Sequence, residues 1–393
     1  MKKLKVIHIA HASHSYFANE NDDLKKITLN DWYFKTARQM KKFYPEIVVE
    51  CWCPERAYTH EEEWIEEGIR ARFFPTLFSP LYGLDYAPSL IRALKEEVQK
   101  SKQERDYLVI HLHEFHSFHG LLIASLFKRE NIIVQHHGGS WPVKHVRESI
   151  GKRKALPLFL LGQVWEEAVI KNVRQFYALS QPEIDYLQKR GCRVRFQTMG
   201  IDDEYFDSMD KKTARKKLKI NEDEKIVLFL GRVSEIKGMM YLLEAAKSLP
   251  QIRFIIIGFG QEREYYEKKS KDMKLAHVQF LGGVFGEKKM HYLSAADALL
   301  LPSLKEGAPV TVMEALARNL PCVVSDVGGV RLMIEQGKNG IIIPPKNPGA
   351  IVDAIQEVIE WPYKNLHEYA KLYKWEKIID DTVKDYERIA QKR

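Results

Sequence analysis

The strongest constraint on this chain is the rhythm of its C-terminal half. Short, apolar, β-branched runs at 226–230, 254–257, 278–281, 298–301, 322–324 and 341–343 alternate with amphipathic stretches near 239–248, 262–272, 287–295, 309–319 and 328–336. A strand that is apolar on both faces must be covered on both, and helices between successive strands supply that cover, which implies a parallel sheet. Right-handed crossovers then give a doubly wound, Rossmann-like α/β domain. The N-terminal half repeats the rhythm less cleanly, with runs at 6–10, 47–52, 108–112, 132–135, 176–178 and 194–198.

At 393 residues the chain exceeds one ordinary core, so two such domains are expected. The first is placed at 1–202, a polar, charge-rich linker at 203–224, and the second at 225–370. The tail, 371–393, reads as a last amphipathic helix that packs back on the N-terminal domain. Two open α/β sheets facing each other across a cleft put their ligand crevices at the carboxyl ends of the strands, so the site is expected between them.

Composition narrows the class. With 45% apolar and 29% charged residues the chain is an ordinary globular protein, and its net charge of +8 permits an anionic partner without naming one. No nucleic-acid motif accompanies that charge, so no nucleic-acid partner is expected. Cys51, Cys53, Cys192 and Cys322 are scattered with no Cys-x-x-Cys pair, and Cys51 and Cys53, in an apolar run, read as buried thiols, which fits a reducing compartment. The first ten residues are basic then apolar, but His11, Ser13 and His14 soon break the run, so a first strand is expected rather than a leader. No window approaches 18 apolar residues, and a cytoplasmic protein is expected.

Three segments of the C-terminal half follow strands and therefore point to one crevice. The first runs Gly231-Arg232-Val233-Ser234-Glu235-Ile236-Lys237-Gly238. Its two cations lie beside the N-terminus of the next helix, where free N–H groups favour an anion such as a diphosphate. Taken alone, two solvated cations near a strand end account for it as well. The second, Gly258-Phe259-Gly260, lacks the third glycine of a dinucleotide fingerprint (Glu264 stands there) and reads better as a tight turn. The third runs from Pro302 to Glu314. Glu306 sits in the loop, Gly307 and Ala308 allow close approach to the backbone, and Pro309 suits the first helical turn before Val310. Carboxylates there suit sugar and ribose hydroxyls, since one carboxylate accepts from two donors.

Together these segments resemble the retaining glycosyltransferases of the GT-B fold, specifically the "glycosyl transferases group 1" family, family four. The resemblance is close over roughly 225–345. Glu306 and Glu314 match the family's Glu-x7-Glu motif, and Gly231, Arg232, Lys237 and Gly238 match its Gly-Arg-x4-Lys-Gly segment. Ala315-Leu316-Ala317, Pro321-Cys322-Val323-Val324-Ser325, Gly328-Gly329 and Gly200-Ile201-Asp202 with Phe206 follow the pattern too.

The resemblance implies a nucleotide-sugar donor, UDP- or GDP-linked, bound by the C-terminal domain, with the acceptor on the N-terminal side. Arg232 and Lys237 would hold the diphosphate. Glu306 would take donor-sugar hydroxyls, with the backbone of Gly307, Ala308, Pro309 and Val310, and Glu314 the ribose. The base would lie against Gly283 and Val284, and His113 would line the donor sugar. Where the family often has a Gly-Gly loop after its first strand, this chain has His11-Ala12-Ser13-His14-Ser15; Ser13, His136 and His137 are named as acceptor contacts.

The cations and a helix end would do the work a divalent metal does elsewhere, so neither metal nor cofactor is expected. The adjacent acids Asp22-Asp23 and Asp202-Asp203 read as solvated loop charges, and His111, His113, His116 and His119 lack the partners of a tetrahedral zinc site. Lys144, Arg147, Lys152, Arg153 and Lys154 run into the apolar 155–161, which reads either as docking on an anionic membrane surface, with a lipid-linked acceptor, or as a solvated loop before a core helix. Within the same architecture the rivals are a phosphorylase and a sugar-nucleotide epimerase. A rival of another class is a nucleotide-sugar-binding protein without transferase activity.

Overall fold

The computed structural model describes residues 2–14, 23–78, 85–115, 117–137, 152–207, 209–362 and 364–391, without side-chain detail over 152–159. Ser15, Asp22, His116, Gly138, Gly139, Lys144 and Arg147 lie outside the described residues, as do the side chains at 152–159. The chain divides into two compact units. One comprises 1–179, 183–199 and 378–393, the other 180–182 and 200–377.

The first unit is built on eight strands: β1 (Leu4–Ala10), β2 (Val48–Glu55), β3 (Glu62–Glu66), β4 (Ile69–Pro75), β5 (Tyr107–His113), β6 (Asn131–Gln135), β7 (Gln175–Ala178) and β8 (Val194–Phe196). Their order is β3-β4-β2-β1-β5-β6-β7-β8, parallel throughout except that β3 runs antiparallel to β4. The β3–β4 pair is absent from the sequence reading. β3 (Glu-Glu-Trp-Ile-Glu) is a half-exposed edge strand with no continuous apolar run to announce it. Ile7, Trp52, Val109, Ile110 and Phe176 form the core on either side of the central strands. Each such side chain contributes ~1.5–3 kcal/mol on burial.

The last helix, Trp375–Ala390, packs on this unit from Ile378 onward. The Tyr386 hydroxyl lies 2.5 Å from His111 Nδ1, Asp385 pairs with Arg195 at 3.0 Å, and Gln197 donates to the Thr382 hydroxyl at 3.0 Å.

The second unit has six parallel strands: β9 (Lys225–Leu230), β10 (Ile252–Ile257), β11 (Val278–Gly282), β12 (Ala298–Leu301), β13 (Cys322–Ser325) and β14 (Gly340–Ile343), ordered β11-β10-β9-β12-β13-β14. The strand order reverses between β9 and β12. In an open α/β sheet that switch point is where the loops splay apart and leave room for a ligand.

Two features depart from expectation. The stretch 328–336 is only a 3₁₀ turn, Val330–Leu332, because Gly328 (φ 62°) breaks any run into it. The stretch 203–224 carries a helix, Lys211–Leu218, whose Arg215 is 3% exposed and donates to the Ala295 carbonyl and the Asp297 carboxylate. Its charges give it the look of a linker, whereas Arg215 forms a buried ion pair with Asp297 within the second unit.

Candidate functional site

In the second unit the loops after β9, β10 and β11 are tied to one another beyond the sheet. Gly231 N–H donates to Ile257 O at 3.0 Å, Gly258 N–H to Gly282 O at 2.7 Å and Val233 N–H to Phe259 O at 2.8 Å. The loop after β12 joins them through Leu304 N–H to Ile236 O at 2.7 Å. Gly238, at φ 70°, is where the first loop turns into the helix Met239–Lys247; a Cβ there would lie 1.9 Å from the Pro302 carbonyl oxygen. Only glycine allows both the left-handed conformation and that approach.

The loops after β9, β10 and β11 border an open cavity of about 310 Å³ lined by Leu230, Gly231, Arg232, Ile257, Gly258, Phe259, Gly283, Val284, Phe285, Lys289 and Thr311. Arg232 is exposed and makes no hydrogen bond or ion pair among the described residues. Further along the same loop, Lys237 Nζ lies 2.6 Å from Glu306 Oε1, and Ser303 Oγ donates to the same oxygen at 2.6 Å. The Glu306 side chain is 9% exposed. Gly307 O accepts from Gly329 N–H at 2.6 Å, so the turn after β13 braces the Glu306 loop.

Glu314 lies on the helix Val310–Ala317, with Pro309 capping it one residue earlier than the first-turn position expected. Its carboxylate sits 2.6 Å from Lys289 Nζ, which lies 5.4 Å from the centre of the Tyr205 ring. Burial and the Glu314 carboxylate, to which it is hydrogen-bonded, both raise the pKa of the Tyr205 phenol. Of the donor residues expected from sequence, Gly231, Arg232, Gly283 and Val284 line the cavity. Glu314 reaches it through Lys289, and Lys237 and Glu306 pair with each other. Ala308 and Pro309 are buried under the loop. Lys289, Tyr205, Ser303, Phe259 and Phe285 were not foreseen as site residues; nothing in the spacing distinguishes Lys289 from Lys288 until the helix Gly286–Ala295 is set against Glu314.

In the first unit, histidines gather at the carboxyl ends of β1, β5 and β6. The register pairs His8 with His111 and Ala10 with His113, which brings three imidazoles to one face. His113 is 3% exposed, and both its nitrogens meet other rings: Nε2 is 2.9 Å from His8 Nδ1, and Nδ1 is 3.0 Å from His137 Nε2. Burial lowers the pKa of His8 to about 3 and that of His137 to about 4. Burial, then His111, holds His113 well below its usual range. The cluster is therefore neutral at ordinary pH.

His136 is buried and paired with Glu183 at 2.7 Å and Glu114 at 3.4 Å. Ser13 is buried and donates to Glu55 at 2.5 Å. Glu114 follows His113 in a left-handed conformation, φ 80°, and accepts from Phe115 N–H and His137 N–H. A bulky residue held there costs ~1–3 kcal/mol, the kind of strain that concentrates at functional sites. Asp31, absent from the sequence reading, pairs with His14 at 3.2 Å. Its pKa falls to about 2: burial pushes it up, and the bond to His14 with the charges of His14, His11 and His137 more than offsets that.

Two groups of described residues lie close enough to share a metal ion, His8 with His111 and His113, and His14 with Cys53 and Glu55. In each, existing bonds occupy part of the donor set: His8 to His113, Tyr386 to His111, Thr28 to His14 and Ser13 to Glu55.

Comparison with known proteins fits this geometry. Residues 210–373 match the family described as "Glycosyl transferases group 1", and residues 35–205 match "Glycosyltransferase Family 4". An uncharacterised glycosyltransferase of Methanocaldococcus jannaschii is 31% identical over 188 residues, 45% of this chain and 48% of that protein. The chain spans about half the length of that curated relative. Sucrose-phosphate synthase from Thermosynechococcus elongatus superposes with a TM-score of 0.69 at 20% identity, covering 98% of this chain and 99% of that one. Anabaena HepE in complex with UDP superposes with a TM-score of 0.66 at 17% identity, covering 98% and 100%. At such identities the structural likeness is one of fold.

Proposed function

The chain belongs to the group 1 glycosyltransferases of GT-B fold, and on that premise we propose that it moves a hexosyl group from a UDP- or GDP-linked sugar to a hydroxyl acceptor, with retention and without a metal. The observation that carries this reading is the gathering of Arg232, the Lys237–Glu306 pair and the Lys289–Glu314 pair around loops at one sheet's switch point. HepE, of the same fold, binds UDP.

Glycosyl transfer leaves negative charge on the departing nucleotide diphosphate. Arg232, exposed at the cavity wall, offers forked donors to that charge. Lys237 supplies a second cation, and its contact with Glu306 sets the carboxylate's place before any sugar arrives. Fixed positive potential at a developing charge stabilises the transition state more than the ground state. Glu306 accepts donor-sugar hydroxyls, and Glu314, steadied by Lys289 and Tyr205, accepts the ribose hydroxyls. His113 is a neutral imidazole whose two nitrogens are engaged by His8 and His137, so it serves by shape.

The presence of both acid–lysine pairs together with an exposed Arg232 supports an enzyme over a sugar-nucleotide-binding relic. The test is Glu306→Gln, which keeps size and fold. Turnover of nucleotide-sugar is expected to fall about a hundredfold or more, with the melting temperature little changed. Wild-type turnover in this variant would remove Glu306 from the mechanism. A nucleotide-sugar that raises the melting point identifies the donor.

Peripheral contact with an anionic membrane surface and a lipid-linked acceptor are part of the same proposal. On the helix Lys152–Val169, Leu160, Leu161 and Val164 are 52%, 70% and 70% exposed, and they follow the basic segment. None of the helices is long and apolar enough to cross a membrane among the described residues. Flotation with anionic liposomes is expected to be lost on Lys152→Glu with Arg153→Glu and Lys154→Glu; unchanged flotation ends that part of the reading.

A further inference from the structure

We propose that Phe259 and Phe285 form a slot that clasps the nucleobase of the donor between their faces. The inference rests on the reading of this cavity as a nucleotide site and goes further by naming the side chains that hold the base. Both rings are strongly exposed, at 60% and 74%, and both line the cavity. Two large apolar rings side by side in water forgo the gain of burial, and an exposed apolar cluster inside a cavity marks a contact surface.

Their geometry suits a flat guest. The ring centres are 6.1 Å apart with the planes inclined by 30°. A base held between two facing rings at ~3.5 Å from each needs about 7 Å between the planes, so one ring has to turn and move outward until its face opposes the other.

The opening falls to Phe285. Phe259 is fixed from below: its carbonyl accepts from Val233 N–H at 2.8 Å, and its ring lies over Gly283 so closely that a Cβ there would be 2.0 Å from Cε2. Glycine at 283 is what lets the ring lie flat against the backbone. Phe285 stands at the N-cap of the helix Gly286–Ala295, more exposed than its partner. Arg232 shares the cavity with the two rings, so a guest whose base lies in the slot has a diphosphate-binding cation on the same wall.

Stacking reads a π-face rather than a pattern of edge donors, so the slot accepts uracil and guanine alike. The test is calorimetric titration of UDP, GDP and inorganic pyrophosphate into the full-length wild type, Phe259→Ala, Phe285→Ala, the double variant and Arg232→Ala. Loss of the rings is expected to weaken UDP and GDP by about ten- to a hundredfold and to leave pyrophosphate unchanged. Phe285→Leu, which keeps apolar bulk without a π-face, is expected to stay weakened. Gly283→Ala, which displaces Phe259 from its seat, is expected to weaken the nucleotides in the same selective way. Arg232→Ala weakens all three ligands. A double variant that binds UDP and GDP within twofold of wild type overturns the slot; if Arg232→Ala has meanwhile lost affinity, the nucleotide site itself stands. A wild type that binds neither nucleotide overturns both.

Discussion

Lys237 and Glu306 show how two residues define each other's role. With Nζ 2.6 Å from Oε1 and the carboxylate 9% exposed, neither is an independent charge. Truncating the lysine strands a largely buried carboxylate, so Lys237→Ala confuses stability with catalysis. The histidines of the first unit pose a different residue-scale question, which is the response to pH. His8, His119 and His137 have pKa values lowered by burial from 6.5 to about 3, 4 and 4. The unfolded chain therefore binds protons that the folded chain refuses, and stability is lost as pH falls from about 6.5 towards 4. Each of these buried rings contributes about 1 kcal/mol per pH unit across that window. The melting temperature is expected to drop steadily between pH 7 and pH 4.5, and His8→Asn is expected to flatten the slope. A melting temperature constant over that range excludes the argument.

At the scale of elements, the site is made by loops that hold one another. Gly238 ends the loop after β9 under the Pro302 carbonyl, 1.9 Å from where a Cβ would stand. Gly238→Ala is expected to push the loops after β9 and β12 apart, lowering the melting temperature and weakening nucleotide binding together. An unchanged melting temperature would show the loops to be looser than this packing implies. Elements were legible where they bury both faces. β12, β9 and β10 appear in sequence as continuous apolar runs. β3 does not, because its alternate residues face solvent, and the helix Pro348–Glu360 is announced in sequence only by its start, where Asn347 caps it and Pro348 opens it. The charged helix Lys211–Leu218 was hidden by its own composition, since only a partner such as Asp297, 82 residues away from Arg215, tells a buried ion pair from a solvated loop.

At the scale of the molecule, the chain makes two α/β units, and the last helix returns to the first of them. Ile379, Val383 and Tyr386 are buried, with Tyr386 on His111 of β5 and Asp385 on Arg195 of β8. Removing 378–393 is expected to expose this face and destabilise the first unit while leaving the second unit's nucleotide binding intact. Thermal unfolding that splits into two transitions in the truncated chain, the later one raised by UDP, would meet that expectation. A single unshifted transition would contradict it.

The amino-acid sequence by itself determined the architecture and the family, because strand burial, turn chemistry and the spacing from Gly231 to Glu314 are local properties that a linear pattern records. It also named Arg232, Glu306 and Glu314 as residues worth locating. Only the tertiary structure decided what each of them touches: that Lys237 neutralises Glu306, that Lys289 and Tyr205 reach Glu314, that His113 lies between two other imidazoles, and that Phe259 and Phe285 flank one cavity. Those are contacts between segments far apart along the chain. Their existence depends on strand order and register, which periodicity constrains without fixing, and it is there that charge, burial and hydrogen bonding acquire their values.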